Sequence, residues 1–157
     1  MKLRLLKKKS KIVNLKRGKN CKIIEPVNIY GSIFGKNVFV GPFVEIQNKT
    51  KIGDNTKVSS HTFICSLVKI GKNCFIGHGV VFINDKFIDG KTAKKSVGGA
   101  KNWRHTNIGD DVLIGSNSTI LPVKICNNVV IGAGSVVTHD ITKKGFYVGN
   151  PAILLKK

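Results

Sequence analysis

The feature that most constrains this chain is a period of six residues. Large apolar residues fall at Phe34, Val40, Ile46, Ile52, Val58, Ile64, Ile70, Ile76 and Phe82, nine in a row without a slip. Four positions after each of the first eight stand Val38, Val44, Thr50, Thr56, Thr62, Val68, Cys74 and Val80, all β-branched or small. After an interruption the large residues return at Ile108, Ile114 and Ile120, take one five-residue step to Ile125, and continue at Ile131 and Val137. A helix face needs apolar residues about every 3.6 positions, so a period of six excludes helix and fits short strands joined by sharp turns. The turns are visible three residues after the large position, at Asn37, Asn55, Asn73, Gly79, Asp111, Asn117, Asn128 and Gly134. These types tolerate the left-handed backbone of a tight corner. Each hexad is then one wall and one corner, and three hexads close a triangular coil of a solenoid.

In such a coil, residues 18 apart stack on one edge. Pro42, Ser60 and His78 share a corner, with Phe43, His61 and Gly79 at the next position of it, so His61 and His78 lie on adjacent coils about 5 Å apart along the axis. Beyond the interruption Ser116 and Ala133 continue that corner. A second corner holds Asn48, Ser66 and Asn84, and from it the period departs over residues 84–107. The Gly, Lys and Ser content of this excursion reads as a projecting loop, and a loop this long in a compact repeat is usually functional. The whole chain, 1–157, is expected to be one domain, with 142–157 as a C-terminal tail.

The formal charge is +19, carried by 24 Lys and only 3 Arg. Specific nucleic-acid readers lean on the planar fork of Arg, so no nucleic-acid partner is expected, whereas anionic ligands such as nucleotide diphosphates would be attracted. Cys21, Cys65, Cys74 and Cys126 form no C-x-x-C and stand near no His at zinc spacing. Reduced thiols in a cytoplasm explain them, and no metal is expected. The basic stretch from Met1 to Lys22 lacks an apolar run of signal-peptide length, and no segment is long and apolar enough for a membrane span. It reads as a solvated strand or tail.

The hexads resemble the hexapeptide-repeat family over roughly residues 28–141. That likeness implies an all-β fold, a single-stranded left-handed parallel β-helix with a projecting loop. Many members are acyl-CoA transferases in which the pantetheine arm runs along a coil edge between two subunits of a homotrimer. The segments GPFVEIQ, SSHTFIC, FIGHGVVFINDK, IGSNSTILPV, VIGAGSVVTHDI and GNPA look like the subgroup that N-acetylates nucleotide-linked amino sugars in surface glycan (lipopolysaccharide) biosynthesis. Enzymes acting on dTDP-3-amino-3,6-dideoxyhexoses are the favoured match, with UDP-linked diamino sugars next. Carried over by position, the likeness implies acetyl-CoA contacts at Ser116, Ala133, Thr138 and Lys156, with Lys156 and Lys157 also able to meet nucleotide phosphates.

Acyl transfer from a thioester to an amine needs positioning, a route for the proton and stabilisation of an oxyanion. His78 is the candidate general base, or a group that holds the sugar, and His61 could serve in either part. Asn84 can bond the amine or sugar hydroxyls, and Asp85 can orient them. Backbone N–H groups near Gly77 or Gly79 are expected as oxyanion donors. Trp103 either covers a neighbouring subunit or stacks on a nucleotide base. Two departures from the subgroup stand out: Ser66 occupies a place often acidic there, and Lys86-Phe87-Ile88 replaces the usual tripeptide after Asn-Asp. O-acetylation of a sugar or polysaccharide would need a stronger base, because a hydroxyl is the poorer nucleophile. A non-catalytic scaffold would not need histidines gathered beside a loop. A γ-class carbonic anhydrase would need a close His pair that His61, His78, His105 and His139 do not form.

Overall fold

The computed structural model describes residues 11–85 and 102–156. The extended elements among the described residues are short strands, and they stack into three parallel walls. The first wall has seven strands, Lys11–Val13, Asn28–Tyr30, Glu45–Ile46, Phe63–Ile64, Val81–Phe82, Thr119–Ile120 and Val136–Val137. The second has six, from Lys16–Arg17 through Ile33–Phe34, Lys51–Ile52, Val68–Ile70 and Thr106–Ile108 to Lys124–Ile125. The third runs from Lys22–Ile23 through Phe39–Val40, Lys57–Val58, Phe75–Ile76, Leu113–Ile114 and Val129–Ile131 to Gly145–Val148, closed by an antiparallel strand Ile153–Leu154. The result is a left-handed parallel β-helix of about seven coils.

The core is the period made visible. Every large position from Phe34 to Val137 is at most 4 % exposed, and Val38, Val44, Thr50, Thr56, Thr62, Val68, Cys74 and Val80, four residues after the first eight, are equally buried. Register locks them: Ile46 pairs with Ile64, Ile52 with Ile70, Val58 with Ile76, Ile76 with Ile114. An open-ended stack of this kind buries each apolar residue between the coils above and below it, so stability accumulates coil by coil.

The corners are left-handed where the period places them. Asn37, Asn55, Asn73, Asp111, Asn117 and Asn128 have φ of 56 to 59°, and Gly79 and Gly134 sit at 64° and 67°. Phe43, Lys49, His61 and Leu67 share this conformation, although bulky side chains enter it at a cost of roughly 1–2 kcal/mol each. On the corner between the second and third walls, side-chain amides form an axial ladder: Asn37 Nδ2 donates to Asn55 Oδ1 (2.8 Å), Asn55 Nδ2 to Asn73 Oδ1 (3.0 Å) and Asn73 Nδ2 to Asp111 Oδ1 (3.1 Å).

The chain enters the solenoid earlier and leaves it later than the hexads indicate. The basic segment contributes strands from Lys11 onward, while residues 1–10 lie outside the described residues. The expected tail carries Gly145–Val148, which extends the third wall by pairing with Val129–Ile131. The excursion closes sooner than expected, because Thr106–Ile108 already pairs with Val68–Ile70. Its middle, 86–101, lies outside the described residues. Among the described residues no helix is long and apolar enough to cross a membrane.

Candidate functional site

His78 sits on the corner between the third and first walls, exposed, at the position just before Gly79. The hydroxyl of Ser60, one coil below, is 2.8 Å from His78 Nδ1. The backbone N–H of His78 donates to the hydroxyl of Ser116, one coil above (3.2 Å), and the His78 carbonyl accepts from the Asn117 N–H (2.8 Å). The imidazole is thereby held at Nδ1, which leaves Nε2 as the nitrogen that can meet a substrate proton. Ser60 was legible only as a stacking neighbour; its bond to His78 comes from side-chain geometry.

Gly77 and Gly79 cannot serve as the expected oxyanion donors. The Gly77 N–H donates to the Ile114 carbonyl (2.8 Å) and the Gly79 N–H to the Ser60 carbonyl (3.0 Å), so the coil-to-coil ladder consumes both. An open donor lies one coil higher. On the asparagine corner the N–H groups of Lys36, Lys72 and Asp110 are capped by side chains of the next coil, Asp54, Asp110 and Asn127. On the His78 corner the residue above Ser116 is Ala133, whose methyl accepts nothing. The Ser116 N–H therefore has no protein acceptor among the described residues. Close contact is kept there by Gly77 and Gly115, where an added Cβ would stand 2.6 Å from Ser116 N or crowd Ala133 N.

His61 occupies the left-handed position one coil below (φ 60°), its ring stacked on that of Phe43 at 4.8 Å between centroids and 17° between planes. His61, His78, Ser116 and Ala133 thus lie along one edge, as the stacking count implies. Thr138 and Lys156 do not. Thr138 follows Val137 at the end of the first wall, on the next corner, with its hydroxyl 2.8 Å from His139 Nδ1. Lys156 follows the closing strand, which runs back along the third wall away from Ala133.

Asn84 and Ser66 form a second cluster on the corner between the first and second walls. Asn84 Nδ2 donates to the Ser66 carbonyl (3.3 Å), and the Asn84 carbonyl accepts from the Arg104 N–H (2.8 Å), which clips the two ends of the excursion together. Ser66 is 3 % exposed. Its hydroxyl donates to Asn48 Oδ1 (2.7 Å) and lies 3.3 Å from Gln47 Oε1, while Gln47 Nε2 reaches Glu45 Oε1 (3.1 Å). Burial and internal partners make Ser66 a support for Asn84, not a surface for substrate. Asp85 and Trp103, both half-buried, flank the two ends of the excursion. Six residues separate Asn84 from His78, roughly 15–20 Å of extended wall, so one chain does not gather the two clusters.

Among the described residues no group of three or more His, Cys, Asp or Glu is arranged for a metal ion. Burial pushes the Cys65 thiol up to about 12 and raises that of Cys74 as well, so neither is poised as a nucleophile.

Two family models match this chain: "Hexapeptide repeat of succinyl-transferase" over residues 67–83 and 105–139, and "Bacterial transferase hexapeptide (six repeats)" over 31–66, together more than half of it. The chain belongs to the hexapeptide-repeat family. A curated relative, the bifunctional protein GlmU of Acetivibrio thermocellus, is 34 % identical over 128 residues, 81 % of this chain but 24 % of that protein. The chain thus spans a fifth to a quarter of the length of the curated relatives it matches. A crystal structure of a mutant of AntD, an N-acyltransferase from Bacillus cereus, in complex with dTDP and coenzyme A, superimposes with a TM-score of 0.70 at 24 % identity, covering 90 % of this chain and 82 % of that one. PerB from Caulobacter crescentus, in complex with CoA and GDP-perosamine, superimposes at 0.64 and 19 % identity, covering 90 % and 58 %. At these identities the structural likeness establishes the fold.

Proposed function

We propose that the protein is an acetyl-CoA-dependent N-acetyltransferase acting on the amino group of a nucleotide-linked amino-deoxy sugar, a dTDP-3-amino-3,6-dideoxyhexose being the favoured acceptor. The observation that carries the reading is the Ser60–His78–Ser116 column, which sets an exposed, oriented imidazole one coil below an uncapped backbone N–H. The amine lone pair attacks the thioester carbonyl carbon, and the ammonium proton passes to His78 Nε2. The oxyanion is met by the Ser116 N–H, as a preformed dipole that costs no reorganisation. Collapse breaks the C–S bond, and the proton moves from His78 to the departing thiolate. A family likeness and a relative solved with dTDP and coenzyme A support the choice of substrates.

The Asn84 cluster joins this chemistry through a second copy of the chain. Asn84 and His78 stand on different corners, and the third wall beside His78 exposes Phe75, Leu113 and Phe146 at 40–45 %. Burying that apolar stripe against a neighbour would bring one copy's His78 corner toward another's Asn84 corner and excursion, in a homotrimer with sites between subunits.

The test is thiol release from acetyl-CoA with a panel of dTDP- and UDP-linked amino sugars beside their hydroxyl counterparts. Release with an amino sugar and silence with the hydroxyl sugar is the expected result. Release only with hydroxyl acceptors makes the protein an O-acetyltransferase. Release with none, and no protection of the fold by coenzyme A, leaves a scaffold.

A further inference from the structure

The Phe43–His61 pair is not explained by folding. Phe43 is 58 % exposed, so the ring gains little from burial. Both residues hold left-handed backbone (φ 58° and 60°), at the position where the same corner carries Gly79, Asn117 and Gly134 on higher coils. Lys49 and Leu67 show that another corner accepts bulky residues in this conformation, so strain alone marks nothing. What marks the site is two rings stacked nearly parallel on an exposed edge, on the two coils below His78 and one corner position over from its column.

We propose that the Phe43–His61 stack seats the nucleobase of the sugar-nucleotide acceptor. This rests on the transferase reading above and adds a direction to it. Every base has a flat π face, and an aromatic platform binds it without a hydrogen-bond code. Phe43 stands two coils below His78, about 10 Å along the axis at ordinary strand spacing. Base and amine cannot both be at His78, and the ribose and diphosphate between them bridge a span of that order. Above His78 the edge is lined by Ser116 and Ala133, with the uncapped Ser116 N–H, and this side receives the thioester. Donor and acceptor then approach one imidazole from opposite ends of one corner, the acceptor from the N-terminal coils.

The test measures binding of dTDP, UDP, inorganic pyrophosphate and coenzyme A to the intact protein by calorimetry, for wild type, Phe43→Asn and His61→Asn. Asparagine is the native occupant of this turn at Asn117 and relieves left-handed strain, so both variants should melt no lower than wild type. The expected result is dTDP and UDP affinity roughly 5- to 150-fold weaker in Phe43→Asn, the range of one lost base stack, with pyrophosphate and coenzyme A affinities unchanged. The seat is overturned if wild type binds no nucleotide, if Phe43→Asn binds dTDP as wild type does, if coenzyme A affinity falls instead, or if the variant alters the oligomeric state, which would make the ring a subunit contact. Nucleotide binding through Phe43 without acetyl transfer to any amino sugar would sink the transferase reading and leave the seat standing. Transfer with a KM indifferent to Phe43 would do the reverse.

Discussion

The Ser60 hydroxyl approaches His78 Nδ1 to 2.8 Å across two successive coils of one corner. Because the contact joins coils and not neighbours in sequence, the imidazole is aimed by the solenoid itself. If His78 moves the proton, His78→Asn should lower kcat by about 10²–10⁴ with the KM for acetyl-CoA changed far less. Ser60→Ala removes one hydrogen bond of about 1 kcal/mol and should lower kcat roughly fivefold, with Ser60→Thr restoring it. Steady-state kinetics of the three variants decide the matter. Full kcat in His78→Asn with a raised acceptor KM would reduce His78 to a group that holds the sugar.

The amide ladder through Asn37, Asn55, Asn73 and Asp111 separates two contributions to corner stability. Asn55 has φ of 59° and bonds both neighbours. Asn55→Gly loses the ladder bonds but keeps an unstrained corner, whereas Asn55→Ala also forces a Cβ into left-handed backbone. Denaturant unfolding should find the alanine variant less stable than the glycine variant by about 1–2 kcal/mol. Equal stability would mean that the ladder alone holds the corner.

The thiols give a solution test of the core. Cys65 and Cys74 are buried, while Cys21 and Cys126 are half-exposed. A thiol reagent at pH 8 should modify two cysteines in the folded protein and four after denaturation. Burial raises the Cys65 thiol from 9.0 to about 12. Between those values the unfolded chain has lost a proton that the folded chain keeps. Stability is therefore fully present below pH 9 and falls as the pH climbs toward 12, and Cys65→Ala should flatten part of that fall in a melting series.

The walls were legible in the sequence because a whole-number period leaves no ambiguity of phase: Phe34 to Phe82 could be counted, and each proved buried. The corner column of Ser60, His78, Ser116 and Ala133 followed from the same count. Phe43, Lys49 and Leu67 escaped notice as left-handed residues because they were judged by type, although phase alone puts them three residues after Val40, Ile46 and Ile64. Thr138 came from family position alone, and its place after Val137 sets it on the next corner, apart from Ser116 and Ala133. The strand Gly145–Val148 shows no hexad and is fixed by pairing with Val129–Ile131. No count could have found that the Gly77 and Gly79 N–H groups are consumed by the ladder, since that depends on where each amide points.

The uncapped Ser116 N–H yields the sharpest prediction. On the asparagine corner, Asn127 Oδ1 accepts from the Asp110 N–H one coil below (2.9 Å). Ala133 holds the matching place above Ser116, is exposed, and keeps ordinary backbone, so Ala133→Asn should fit without strain and cap the Ser116 N–H in the same way. A capped donor cannot meet an oxyanion. Loss of one such donor costs about 10²–10³ in kcat. Ala133→Asn should therefore melt at or above the wild-type temperature while turning over at least a hundredfold more slowly, about 2.7 kcal/mol of lost transition-state stabilisation. Ala133→Val, which adds comparable bulk without an acceptor, separates capping from obstruction of coenzyme A. If both variants lose activity equally and both raise the KM for acetyl-CoA, the Ser116 N–H is not the oxyanion donor and Ala133 matters only as space.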